Sequence, residues 1–161
     1  MDFEAKIISR EVSELLWERE KTVATAESCT GGNIAHVFTL IPESSAVFKG
    51  SAVTYAASTK TKVLGVPSET IASYGVVSQQ VVESMARGVC DLMEADFGVA
   101  TTGVAGPEGG TEENPVGTVW IGVASAHGVV SKRFNFGKDR ENVINRATIA
   151  AYEMLRQQII G

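Results

Sequence analysis

Twice along this chain a short run of buried-strand character breaks directly into glycine. Thr22-Val23-Ala24-Thr25-Ala26 leads into Glu27-Ser28-Cys29-Thr30-Gly31-Gly32. Phe97 to Thr101 leads into Thr102-Gly103-Val104-Ala105-Gly106-Pro107-Glu108-Gly109-Gly110-Thr111, four glycines and one proline in ten residues. Short apolar runs bounded by such turns read as strands. The first is followed at once by helical character from Asn33 to Leu40. A strand that ends in a polar turn and re-enters as a helix is the repeating unit of α/β folds.

The remaining periodicity continues that alternation. Phe3, Ile7, Ile8, Val12, Leu15 and Leu16 make one stripe of a helix from Phe3 to Arg19. Ala46 to Tyr55 reads as a second strand, and the Ser/Thr/Lys segment from Ala56 to Leu64 as a short helix before Gly65-Val66-Pro67. Val81, Val82, Met85, Ala86, Val89, Leu92 and Met93 form a 3.6-residue stripe after Ser78, which reads as its N-cap. Thr118 to Ala126 and Val129 to Phe136 are strands separated by His127-Gly128, the length of a tight antiparallel hairpin. A last helix runs from Asp139 to Gln158, with Val143, Ile144, Ala147, Ala150, Ala151, Met154 and Leu155 facing in. The expectation is one domain over residues 1–161. Its class is α/β, a three-layer α/β/α sandwich with a mixed, mostly parallel sheet of about five strands. Such sheets bind ligands beyond the carboxyl ends of their strands. Ser28, Tyr55 and Gly103 all follow strand ends and are expected on one rim.

Composition narrows the function classes. Apolar residues are 44% and charged residues 20% of the 161, an ordinary globular balance. Fourteen Lys and Arg against nineteen Asp and Glu give a formal charge of −5, so no overall basic field attracts nucleic acid or an anionic membrane. The opening Met1-Asp2-Phe3-Glu4 has no apolar run behind it, and nowhere do 18 apolar residues stand together, so a cytoplasmic protein is expected. Two cysteines, Cys29 and Cys90, without Cys-x-x-Cys spacing, and two histidines, His36 and His127, are too few for most metal cages. No metal and no cofactor is expected.

Ser28 stands where a turn enters a helix, a place that favours a developing oxyanion. As a nucleophile it needs a base. Neither histidine lies in a loop motif, which argues against a Ser-His-Asp arrangement. A desolvated lysine can serve instead, and Lys60 and Lys62 are the lysines nearest the rim. The residues alone leave other readings open. Ser28 can be a helix cap, Cys29 the nucleophile or a small core residue, and Gly103 to Gly110 a phosphate-cradling loop or an unremarkable one. Trp17 and Trp120 read as core, and Glu108, Glu112 and Glu113 as a solvated loop face.

Ala26 to Gly32, Gly103 to Thr111 and Pro115-Val116-Gly117-Thr118-Val119 together resemble the C-terminal domain family of the competence/damage-inducible protein CinA. The likeness runs from about Val12 to Gln158. Stand-alone members of that family resemble nicotinamide-nucleotide amidohydrolases, which convert nicotinamide mononucleotide to nicotinate mononucleotide and ammonia. The resemblance implies a serine amidohydrolase with a Ser/Lys dyad, Ser28 and Lys60, and a homodimer. It places Tyr55, Ser45 and Thr102 among the polar groups of the site. Cys29, Thr30 and Gly31 fall at the oxyanion, Gly103 and Gly106 along the substrate, and Arg140 opposite a substrate phosphate. Three departures stand out: Ala56-Ala57-Ser58-Thr59 where the family often has Ser-Asn, Asn114 in place of a lysine, and Lys138 inserted in a Gly-Asp-Arg segment. Two other readings fit the same residues: a nucleotide-binding module without catalysis, and an amidase for another substrate.

Overall fold

The computed structural model describes residues 2–161. In chain order the elements are α1 (Phe3–Glu18), β1 (Val23–Glu27), α2 (Asn33–Thr39), a 3₁₀ turn (Ser44–Ala46), β2 (Phe48–Val53), α3 (Ala57–Leu64), α4 (Ser68–Tyr74), α5 (Gln79–Met93), β3 (Phe97–Gly103), β4 (Thr118–Ser125), β5 (Gly128–Asn135) and α6 (Arg140–Ile160). The strands form one sheet in the order β2-β1-β3-β4-β5. β1 is parallel to both β2 and β3, while β4 is antiparallel to β3 and β5. Only β4 therefore runs against the others, and the sheet is mixed as the alternation of elements predicts.

Strand alternation sorts the two faces by size. Val23, Phe97, Val99, Val119, Ile121 and Val123 pack with α1, α2 and α6 on one face. Ala24, Ala26, Ala100 and Ala124 pack with α5 and Leu64 of α3 on the other. Small residues on that second face let α5 lie close across the sheet, and larger ones on the first fill the space under three helices. Tyr152 of α6 is buried and its hydroxyl donates to Ile34 O at 2.7 Å, tying α6 to α2. Among the described residues no helix is long and apolar enough to cross a membrane.

Four details depart from the sequence reading. The predicted strand from Ala46 begins only at Phe48, because Ser44–Ala46 winds into a 3₁₀ turn. The hairpin turn is Ala126-His127, since Ser125 pairs with Gly128 to close it. The last helix begins at Arg140, where the Asp139 side chain accepts from Asn142 N, and continues to Ile160. The helix α4 has no counterpart in the sequence reading; none of its residues is fully buried, so it has no strong apolar stripe to betray it.

Gly88 in α5 is a close-approach glycine. A Cβ there would run into the Leu64 carbonyl oxygen and lie 3.2 Å from Leu64 Cβ, so its absence lets α3 seat on α5. Gly88→Ala is expected to cost about 1–3 kcal/mol by overpacking. Chemical denaturation should show a lowered midpoint with an unchanged slope.

Candidate active site

β1 has β2 on one side and β3 on the other, so the chain leaves its carboxyl end at a topological switch point, where open α/β sheets form a crevice. Ser28 is the first residue beyond that end. Glu27 and Ser28 continue the strand's alternation toward opposite layers: Glu27 reaches the start of α2, and Ser28 reaches the α3 side.

Lys60 arrives from α3. It is 1% exposed, and its Nζ lies 3.1 Å from Ser28 Oγ, 2.5 Å from Thr54 O and 3.4 Å from Tyr55 O. Burial holds its pKa below the usual lysine range. The amine thus has three oxygens within reach, the two carbonyls of the β2–α3 loop and the Ser28 hydroxyl. Lys62, two positions along the same helix and so on another side of it, is exposed. Helix phase decides between the two lysines.

Cys29 is buried beside Ser28. Burial pushes its thiol up to about 12, so at neutral pH it is protonated and a poor nucleophile. Gly31 turns the loop with φ +62°, and its N–H donates to Ser28 O at 3.0 Å. Gly32, at φ +96°, occupies the N-cap of α2. The Ile34 and Ala35 N–H groups donate to Glu27 at 3.0 and 2.9 Å. Among the described residues no oxygen accepts from the N–H of Cys29 or Thr30. The first turn of α2 is thus occupied by a carboxylate, and the open donors are those of the loop.

Arg140, at the start of α6, donates from Nη2 to the Tyr55 hydroxyl at 3.0 Å and from Nη1 to Gly106 O at 2.5 Å. It bridges the β2–α3 loop to the glycine-rich loop, and Tyr55 keeps an exposed ring. Gly103 ends β3 opposite Val119. Asn114 donates to Val77 O at 3.3 Å and clips the loop to the start of α5.

Two expected residues make no hydrogen bond with Ser28 or Lys60. Thr102 is buried on the face of the sheet that Ser28 also takes, and its hydroxyl donates to Val76 O at 2.9 Å. Ser45 is exposed in the 3₁₀ turn before β2, at the opposite end of the sheet. Val23 pairs with Phe48 and Glu27 with Val53, so about 16 Å of parallel strand separates the two ends. Sequence reasoning overlooked Glu27, Thr54 and Thr101. Thr101 Oγ1 lies 3.4 Å from Ser28 N and 2.9 Å from Thr30 Oγ1. Alternation was the available signal: Thr101 falls on the α2 face with Glu27, where it meets the backbone of the Ser28 loop, and Thr102 on the opposite face.

Residues 5–159 match the CinA C-terminal domain. The chain belongs to that family. A CinA-like protein of Endomicrobium trichonymphae is 44% identical over 99% of the chain, which spans 37% of that relative's length. The nicotinamide-nucleotide amidohydrolase PncC of Escherichia coli is 45% identical over 99% of the chain and 97% of that protein. The competence/damage-inducible protein CihA of Agrobacterium tumefaciens superposes with a TM-score of 0.95 at 36% identity, covering 98% of this chain and 96% of that one. The mixed five-stranded α/β architecture is therefore that of the CinA superfamily.

The burial of Lys60 has a measurable signature in this CinA domain. Its folded pKa lies below the unfolded value of about 10.4, so between the two the unfolded chain binds more protons and stability rises with pH. Lys60→Met removes that burden. It is expected to raise the melting temperature at pH 7, by about 2–4 °C for each kcal/mol relieved. The gain should shrink as pH climbs from the lowered folded value toward about 10.4 and be absent above it. Thermal melts at pH 7 and above that value check both the sign and the window.

Proposed function

We propose that this chain hydrolyses the carboxamide of nicotinamide mononucleotide to nicotinate mononucleotide and ammonia. The observation that carries the reading is the end-to-end match to the Escherichia coli nicotinamide-nucleotide amidohydrolase, 45% identical over nearly the whole of both proteins. The contact of Lys60 Nζ with Ser28 Oγ at 3.1 Å supports a Ser/Lys dyad as its machinery.

In this reading Ser28 Oγ attacks the carboxamide carbon while Lys60 takes the hydroxyl proton. The carbonyl oxygen becomes an oxyanion held by the N–H groups of Cys29 and Thr30, with Gly31 shaping the turn. Collapse breaks the C–N bond, and the Lys60 proton leaves with ammonia. The acyl group stays on Ser28 as an ester. Lys60 then takes a proton from water as it attacks the ester, and returns that proton to Ser28 Oγ as nicotinate mononucleotide departs. The carbonyls of Thr54 and Tyr55 keep the amine aimed through both halves. The Arg140 guanidinium and the loop at Gly103 and Gly106 receive the phosphate, and the Tyr55 ring flanks the substrate.

Ammonia release from nicotinamide mononucleotide, with the riboside and free nicotinamide in parallel and a chelator present, tests the reading. Nucleotide-selective release is expected. A rise in melting temperature with the nucleotide but no turnover would replace it with a binding module, a role open to a domain that forms 37% of a longer relative. Ser28→Ala and Lys60→Ala are each expected to lower turnover about a thousandfold or more while Cys29→Ala stays active. Arg140→Ala should raise KM for the nucleotide more than for the riboside, and equal effects on both would remove its phosphate role.

A further inference from the structure

We propose that Thr101 and Glu27 are positioning residues for the Ser28 loop, acting through one directed chain of hydrogen bonds; the proposal rests on the reading of Ser28 as the nucleophile. The Glu27 side chain is fully buried. Its Oε1 accepts from Thr30 Oγ1 at 2.7 Å and from Ile34 N at 3.0 Å. Its Oε2 accepts from Ala35 N at 2.9 Å and from one hydroxyl of the Thr25–Ser51 pair, whose oxygens lie 3.1 and 3.5 Å away and 2.6 Å from each other. Every partner is a donor, as an ionised carboxylate requires.

That carboxylate sets the direction of the hydrogen bonds beyond it. Thr30 has one hydroxyl proton and gives it to Glu27. The 2.9 Å contact between Thr30 Oγ1 and Thr101 Oγ1 must then use the proton of Thr101. The Thr101 oxygen is left as an acceptor for Ser28 N–H at 3.4 Å. One hydroxyl from the neighbouring strand thus holds the residues on both sides of Cys29. It draws the Ser28 N–H inward, and the N–H groups of Cys29 and Thr30 are the ones left without an oxygen acceptor.

This arrangement is more than a helix cap. A cap for α2 needs only a short polar side chain at the N-cap, yet that position is Gly32, without a side-chain hydrogen bond. The capping carboxylate comes instead from the last residue of β1. The strand end and the helix start are locked to each other across the nucleophile loop, and Thr101 locks that loop to β3. Neither Glu27 nor Thr101 approaches the Ser28 hydroxyl itself.

Thr101→Val removes the hydroxyl at nearly constant volume, Thr101→Ser keeps it, and Thr30→Val breaks the same chain one link on. Two rates are read in each folded variant. One is steady-state hydrolysis of nicotinamide mononucleotide. The other is phosphonylation of Ser28 by a fluorophosphonate, in which Ser28 Oγ bonds to phosphorus and fluoride leaves, followed by mass spectrometry. Both valine variants are expected to lower kcat and the labelling rate on the order of 10–100-fold, the scale of displacing a reacting group by about an ångström, with KM within about threefold. Thr101→Ser should recover most of both rates. Wild-type kcat and labelling in Thr101→Val would overturn the proposal, as would Thr101→Ser failing as badly as Thr101→Val, which would assign the effect to packing. A wild-type protein that neither turns over nor labels at Ser28 removes the nucleophile reading and the proposal with it. Turnover unchanged by the valine variants removes the proposal alone.

Discussion

A lysine amine buried at the meeting point of two strand ends and a helix is the constraint around which this structure is arranged. An ammonium without compensation in that place costs several kcal/mol, so the group is held below its usual pKa and its protons are matched to fixed acceptors. Those acceptors, Thr54 O and Tyr55 O, belong to the loop that leaves β2, and its third neighbour, Ser28 Oγ, to the loop that leaves β1. The two loops come together only because β1 and β2 are parallel and paired to their last residues, with Thr54 N donating to Glu27 O at 2.9 Å. Seating Lys60 in turn depends on α3 lying close to α5, which the missing side chain of Gly88 allows.

The charges flanking Ser28 are divided between the two faces of the sheet. Lys60 approaches from the side of α3 and α5, where the strands carry alanine and glycine. Glu27 points into the side of α2 and α6 and is satisfied there by Thr30, the N–H groups of Ile34 and Ala35, and one hydroxyl of the Thr25–Ser51 pair. The amine and the carboxylate make no hydrogen bond with each other, and each is held by its own partners. This separation keeps Lys60 from becoming half of an ion pair, which would stabilise its charged form and work against the base role proposed for it.

Much of the fold was legible because long helices with one buried stripe and short strands bounded by glycine leave clear periods. The stripe from Val81 to Met93 has the Ser78 cap that the sequence predicts, with Ser78 Oγ accepting from Val81 N at 3.3 Å. What escaped had no period to read. No residue of α4 is fully buried, and Ser44–Ala46 runs almost directly into β2, so neither carries a pattern of its own. In the site, Lys60 and Lys62 are chemically identical in the sequence and differ only in helix phase. Thr101 and Thr102 likewise differ only in strand phase. Glu27 went unread because a carboxylate is ordinarily a surface group, and nothing local announces the α2 N–H groups that bury it.

By itself the sequence determined the succession of the five strands and of every helix but α4, and the motif in which Ser28 sits. These come from local periods of 2 and about 3.6 residues and from turn chemistry, all properties of neighbouring residues. Only the tertiary structure decided which lysine reaches Ser28 across 32 residues, and which threonine touches its N–H across 73. It also decided which loop N–H groups stay open and that Ser45 lies at the far end of the sheet. A local period fixes a side chain's phase relative to its own element, whereas contact between elements depends on register and packing, which exist only once the sheet has assembled.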